Sequence, residues 1–122
     1  MNDIEKTKPS YDLEERTFQF AKQIRIYIKT LHRTQANIED GKQLIRASGS
    51  VGSNYIEANE ALSKKDFLMR VKISRKEAKE CVFFIRLIKE TNENIDFDFS
   101  EKLQTEATEL KKIFSAIINK SK

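Results

Sequence analysis

The chain has 122 residues, 34% of them charged and 39% hydrophobic, and a formal net charge of +4. This length suits one domain around a single core, and a disordered chain would carry fewer aliphatic residues. The longest apolar runs, such as residues 81–85, fall far short of the roughly 20 residues that a membrane-spanning helix needs, so we expect no membrane contact.

The N-terminal region is predicted to be a flexible segment over residues 1–10, followed by a single domain over residues 11–120. The first residues mix acids and lysines without an apolar stretch, which disfavours a secretory signal. A single cysteine, Cys81, fits a reducing compartment, so a cytoplasmic location is expected. Asp12 with Glu15 forms a capping-box-like start, and apolar residues at helical spacing predict a helix over residues 13–33.

The second segment contains ASGSVGSNYIEANEAL, residues 47–62. It lacks the residue order of either a Walker loop or a dinucleotide fingerprint, and its apolar positions alternate in steps of four and three, so a helix is predicted. Gly49 and Gly52 inside a helix cost roughly 1 kcal/mol each relative to alanine. Close approach of another helix, inside the monomer or across a subunit contact, is one explanation, and a frayed or kinked helix is the other.

Two further helices complete the pattern. Ser63 with Asp66 predicts the start of the third, which has the most regular spacing in the chain, and Asp98 with Glu101 predicts the start of the last. Short connectors between long helices favour antiparallel neighbours. The sequence therefore predicts an all-α fold, an antiparallel up-and-down four-helix bundle.

Few residues favour catalysis. His32 is the one histidine and has exposed neighbours, and no Glu-x-x-His pair is present to hold metals in a bundle. We therefore predict no catalytic residue, no metal and no cofactor, and interpret Cys81 as a small hydrophobic residue of the core. Glu57 shares a helix face with Asn54 near the apolar stripe, so we expect it to be partly buried and to pair with an arginine or lysine of the third helix.

Charge is concentrated in the third helix, where residues 63–90 carry nine lysines and arginines against four acids. Such an excess can neutralise phosphates through counterion release. The predicted nucleic-acid contacts are Lys64, Lys65, Lys72, Arg75, Lys76 and Lys79. Arg70 and Arg86 are weaker candidates because either could serve a subunit contact. An ordinary solvated face is the alternative, because Glu77 and Glu80 interleave with the lysines.

The stretch RASGSVGSNYIEANEALSKKDFLMRVKISRKEAKE, residues 46–80, resembles the signature region of the bacterial 23S rRNA intervening-sequence protein family. The family is similar in fold to the accessory protein of diversity-generating retroelements, a basic pentameric bundle that works with a reverse transcriptase and its RNA. The resemblance implies a non-enzymatic, cytoplasmic homo-oligomer, a ring of five, with a nucleic-acid role. Many members have a glycine shortly after the motif's glutamate, whereas this chain has Asn59-Glu60-Ala61, which predicts a helix that continues to Leu62.

Two functions are therefore compared. The first is binding of the RNA or DNA backbone through the basic face of the third helix. The alternative is a protein-interaction scaffold or accessory subunit with no direct nucleic-acid contact. For assembly, we expect four small residues to permit close packing of helices: Ser48, Gly49, Gly52 and Ser53. We expect two polar residues, Asn54 and Glu57, to fix the packed arrangement through polar contacts, and we call this pair the polar lock.

Overall fold

The computed structural model describes residues 9–121, which form four helices: α1 (Pro9–Lys29), α2 (Gln35–Asn59), α3 (Lys64–Thr91) and α4 (Phe97–Lys120). Helix α1 packs against α2 and α4, and α3 also packs against both. The connectors 30–34, 60–63 and 92–96 are too short for anything but antiparallel neighbours. The predicted four-helix bundle is confirmed. The flexible segment predicted over residues 1–10 lies outside the described residues up to residue 8, and residues 9 and 10 open α1.

Capping side chains mark where three of the helices begin: Thr34 for α2, Ser63 for α3 and Asp96 for α4. The Ser63 hydroxyl accepts a hydrogen bond from the Asp66 amide at 3.1 Å, which confirms the predicted start of α3. For α4 the prediction is wrong by two residues. Asp96 is the cap, because its carboxylate accepts the Phe99 amide at 3.0 Å, and Asp98 already lies in the first turn.

Other helix boundaries also differ from the prediction. Helix α1 begins before Asp12 and ends at Lys29, not at residue 33. Helix α2 ends at Asn59 and does not reach Leu62, which is fully exposed. The amides of Glu60 and Ala61 donate to carbonyls three residues back, at 3.1 Å each, so the last turn tightens and the helix stops.

The core is built from the predicted apolar stripes. Its fully buried members come from all four helices and include Ile24 and Tyr27 of α1, Leu44 and Val51 of α2 and Ile85 of α3. Cys81 belongs to this core and has no exposed surface. In α4 the inward residue of the final turn is Ile118, and the neighbouring Ile117 is only partly buried.

Polar contacts inside the core link helices that are distant in sequence. The Ser74 hydroxyl of α3 donates to the Val51 carbonyl of α2 at 2.8 Å, and the hydroxyls of Tyr27 and Ser100 lie 2.7 Å apart between α1 and α4. No described buried side-chain nitrogen or oxygen lacks a hydrogen-bond partner. Buried polar groups that are fully satisfied select one arrangement of the helices over others.

Candidate nucleic-acid interface

The outward face of α3 carries a row of exposed lysines. Lys65, Lys72, Lys76 and Lys79 are all exposed and follow one another at intervals of seven, four and three residues. These intervals keep side chains on one side of a helix, and the fourteen-residue span corresponds to about 21 Å of helix. We call these four residues the lysine row. None of them forms an ion pair within residues 9–121.

The two other predicted contacts lie beside the row. Lys64 is exposed at the first position of α3 and lies about 100° around the helix from Lys65. Arg75 is partly buried and stands at the same angle from Lys76. The structure therefore aligns four of the six predicted residues and leaves Lys64 and Arg75 at the edge of the face.

The weaker candidates are already engaged within the chain. The Arg70 guanidinium donates to the Asn54 side-chain oxygen of α2 at 3.0 Å. Arg86 forms an exposed ion pair with Glu90, one turn along the same helix, at 2.8 Å. A nucleic acid would have to compete with these partners, whereas the lysine row has none among the described residues.

The acids interleaved with the lysines both bind an arginine of α2, although Glu80 lies one turn from Lys76 on the same side of α3. Arg46 of α2 contacts Glu77 at 3.1 Å and Glu80 at 2.6 Å through its two terminal nitrogens. The Glu77 side chain is only 8% exposed, which shows that it faces α2. Hydrogen bonds to Glu80 and to Glu77 raise the pKa of the Arg46 guanidinium, so the cation is permanent at any relevant pH. Arg46 thus offsets part of the negative charge that would oppose the lysine row.

The predicted polar lock is only partly assembled within the protomer. Asn54 donates to the Ser50 carbonyl at 3.0 Å and accepts from Arg70, so it ties α2 to α3. Glu57 is exposed, so the burial predicted for it is wrong. It points away from the core because the inward positions of that turn are taken by Tyr55 and Ala58. The buried carboxylate of this interface is Glu77.

The small residues of α2 face α1. A Cβ atom added at Gly52 would lie 2.9 Å from the Thr17 hydroxyl oxygen, closer than real Cβ atoms approach, and 3.2 Å from the Thr17 Cβ, which is tighter than most real contacts. At Gly49 the nearest atom would be the flexible end of Arg25, at 3.3 Å. Ser48 is fully buried, whereas Ser53 is exposed. Close packing inside the monomer therefore explains Gly52, and a role for the strip in assembly stays a prediction.

An apolar groove of about 600 Å³ runs between α1 and α2. Gly49 and Gly52 form part of its lining, and Phe18, Ile26 and Ile56 line it with 60%, 41% and 47% of their surfaces exposed. Exposed apolar side chains gathered in one groove are typical of an interaction surface. We call this feature the α1–α2 groove.

The residues considered for catalysis or metal binding lie in ordinary structural surroundings. Burial raises the pKa of the Cys81 thiol, so it stays protonated and behaves as a core residue. The His32 side chain is exposed. Within residues 9–121 no group of three potential metal ligands comes together, and no helix is both long and apolar enough to cross a membrane.

Comparison with known proteins assigns the family. The model described as 23S rRNA-intervening sequence protein matches residues 10–116. The chain belongs to this family. It is similar to a crystal structure described as a protein with unknown function from the S23 ribosomal protein family of Bacteroides thetaiotaomicron VPI-5482, with a TM-score of 0.78 and 31% identity over 86% of this chain and 96% of that one. No curated protein matches.

Two features of the site were missed from the sequence. The first is the ion pairing of Arg46 with Glu77 and Glu80. The sequence signal that could have shown it is that Glu77 immediately precedes Ala78, a residue of the buried stripe, which puts a carboxylate at the edge of the core. The second is the α1–α2 groove, whose apolar residues lie outside the main stripes. Their recurrence on the outer faces of α1 and α2 was the available signal.

Proposed function

We propose that this member of the 23S rRNA-intervening sequence protein family is a non-enzymatic, cytoplasmic protein that binds the phosphate backbone of RNA or DNA through the outer face of α3. The observation that carries the proposal is the lysine row: four exposed, aligned lysines with no ion-pair partner among the described residues. Such cations release condensed counterions when they meet phosphates, and this release is the main source of sequence-independent affinity.

The ion-pair partners of the acids near the lysine row also support this function. A face that served only solubility would gain from lysines and glutamates paired across its surface. Here Glu77 binds Arg46 on the side of α3 that faces α2, and Glu80, although it lies one turn from Lys76, forms its ion pair with Arg46 and not with a lysine. A phosphate that approaches the outer face therefore meets lysines that are free to contact it.

The expected strength of the salt effect follows from the number of lysines. Four phosphate contacts give a slope of log affinity against log salt of about −3.6 on a duplex and −2.8 on a single strand. Between about 50 and 200 mM salt, this slope corresponds to a loss of roughly 50- to 150-fold in affinity. An oligomer that repeats the row would show a steeper dependence.

The test is fluorescence anisotropy of labelled RNA and DNA with the purified protein and with a variant in which Lys72, Lys76 and Lys79 become Glu. We expect the variant to lose salt-sensitive binding. The matched control reverses three exposed lysines elsewhere, Lys42, Lys102 and Lys112, and so changes the net charge equally. We expect this control to retain most of the affinity. Equal losses in the two variants, or no binding by the wild-type protein at the lower salt, would contradict the proposal.

A second candidate function is protein interaction, and the α1–α2 groove favours it. We propose that the groove holds another copy of this chain, so that the protein forms the homo-oligomer, a ring of five, which the family resemblance implies. The exposed surfaces of Phe18 and Ile56 would be removed from water by such a contact.

The oligomer proposal is tested by light scattering of Ile56→Lys, with Ile38→Lys as the matched control. Ile38 is also exposed but lies outside the groove. We expect a smaller mass for Ile56→Lys alone. A wild-type protein that is monomeric, or an oligomer that both variants leave unchanged, would exclude the groove as the subunit contact. A partner of different sequence in the groove is the alternative that such a result would favour.

A further inference from the structure

One aromatic side chain interrupts the charged surface of α3. Phe83 follows Lys79 by four residues and therefore continues the lysine row on the same side of the helix. It is 58% exposed although it is large and apolar. Lys79 and Glu80 lie one turn before it and Arg86 one turn after it, with Glu80 paired to Arg46 and Arg86 paired to Glu90. The ring therefore lies among charged side chains and outside the core.

The ring is held in a defined orientation. Phe83 and Phe84 make an edge-to-face contact with centroids 5.2 Å apart and planes at 85°. Phe84 is itself packed against the core, so the contact fixes the exposed ring relative to the bundle. An aromatic ring that is held in place loses little conformational freedom when a flat partner stacks on it.

The position of the Phe83 ring favours contact with unpaired bases over contact with a duplex. In a duplex the bases are stacked on each other, and a ring in the lysine row would face phosphates and sugars. Unpaired bases can turn outward and stack on an aromatic side chain while lysines contact the adjoining phosphates. We infer that Phe83 is a stacking platform and that the α3 face binds nucleic acid with unpaired bases in preference to a duplex. This inference rests on the function proposed above and specifies its ligand.

The test compares wild-type protein with Phe83→Ala on two probes: a labelled single-stranded RNA of about 20 nucleotides, longer than the usual single-strand site sizes, and the duplex that it forms with its complement. We expect Phe83→Ala to lower the affinity for the single strand by about 5- to 150-fold, the range that loss of one stacked base gives. Affinity for the duplex should change by less than about twofold, because phosphate contacts remain.

Two further variants make the result specific. Phe97→Ala removes an equally exposed phenylalanine, 57% against 58%, at the start of α4 and outside the lysine row, and it should leave both affinities unchanged. Phe83→Tyr keeps an aromatic face and should retain the affinity for the single strand. Light scattering should give the same molecular mass for all of these proteins.

Each contrary outcome has a distinct meaning. If the wild-type protein binds both probes equally and Phe83→Ala changes neither affinity, the stacking inference is wrong and backbone binding stands. If the wild-type protein binds neither probe at about 50 mM salt, the proposed function fails and the inference fails with it. If Phe83→Ala changes the molecular mass, the ring belongs to a subunit contact and the inference is overturned.

Discussion

The outer face of α3 and the α1–α2 groove are both exposed to solvent, yet they are built on opposite principles. The α3 face presents aligned lysines without ion-pair partners among the described residues, and the interleaved acids Glu77 and Glu80 bind Arg46 of α2. The groove is lined mainly by apolar and small residues, and four charged residues of α1 also contribute to it. One small bundle thus separates an electrostatic surface from an apolar one by using different helices for each.

The largest effect on stability is expected at Gly52. Gly52→Leu would force a side chain into Thr17, whose hydroxyl oxygen lies only 2.9 Å from the position of an added Cβ. Overpacking of this kind should lower the free energy of unfolding by about 3 kcal/mol. Thermal unfolding monitored by circular dichroism measures the change. An unchanged melting temperature would show that α1 and α2 can separate at this point without cost.

Glycine-to-alanine substitutions at positions 49 and 52 separate the effect of the contact with Thr17 from the effect of helix propensity. Alanine stabilises a helix interior by about 1 kcal/mol relative to glycine. Gly49→Ala should gain up to that amount, because the flexible Arg25 can move aside. Gly52→Ala should lose this gain or destabilise the fold, because the Thr17 Cβ, which moves only with α1, would lie 3.2 Å from the added methyl group. Equal gains at both positions would contradict the close approach at Gly52.

The next effect is expected at Arg46, which binds the two acids Glu77 and Glu80 of α3. Arg46→Met leaves the Glu77 carboxylate buried without its cation, and we expect a loss of about 2 kcal/mol in the free energy of unfolding. Chemical denaturation measures it. Lys42→Met is the matched control, because it removes a cation from an exposed pair with Glu39 and should cost less than about 0.5 kcal/mol. Equal small losses in both variants would mean that Glu77 is not dependent on Arg46.

A smaller loss is expected at the contact between α1 and α4. Tyr27→Phe removes the hydroxyl that lies 2.7 Å from the Ser100 hydroxyl in the core, which should cost about 1 kcal/mol in the free energy of unfolding. The affinity for nucleic acid should not change, because the contact is remote from the lysine row. Urea denaturation of both proteins gives the loss, and a change in RNA affinity would contradict the separation between core and charged face.

The smallest effect on stability is expected in the lysine row itself. Lys76→Ala should change the free energy of unfolding by less than about 0.5 kcal/mol, because the side chain is exposed and unpaired among the described residues. It should nevertheless reduce the slope of log affinity against log salt by about 0.7 to 0.9. Titration of labelled RNA at several salt concentrations measures the slope. A large stability loss would show that Lys76 has a structural partner.

Sequence periodicity predicted the fold and most of the core because both depend on which residues recur at helical spacing. The starts of the helices were harder to predict: Asp96 and Asp98 are both acceptable caps, and the choice depends on which amide each carboxylate reaches. The end of α2 was misplaced because Leu62 has the right spacing but nothing to pack against, and it is fully exposed.

The candidate site was predictable in composition but not in arrangement. Excess positive charge on α3 is visible in the sequence, and so are the acids that interleave with it. Which acids oppose the lysines depends on α2, because Arg46 lies thirty-one residues before Glu77 in the chain and meets it only in the folded bundle. Likewise, the reason for glycine at position 52 lies in Thr17 of a different helix.

The most direct test of the central claim is the slope of log affinity against log salt for single-stranded RNA, measured on the wild-type protein and on the variant with Lys72, Lys76 and Lys79 changed to Glu. We predict a slope of about −2.8 or steeper for the wild-type protein and one of about −0.7 for the variant, in which Lys65 is the one lysine of the row that remains. A shallow slope for the wild-type protein, or the same slope in both, would contradict the assignment of the α3 face as the nucleic-acid interface.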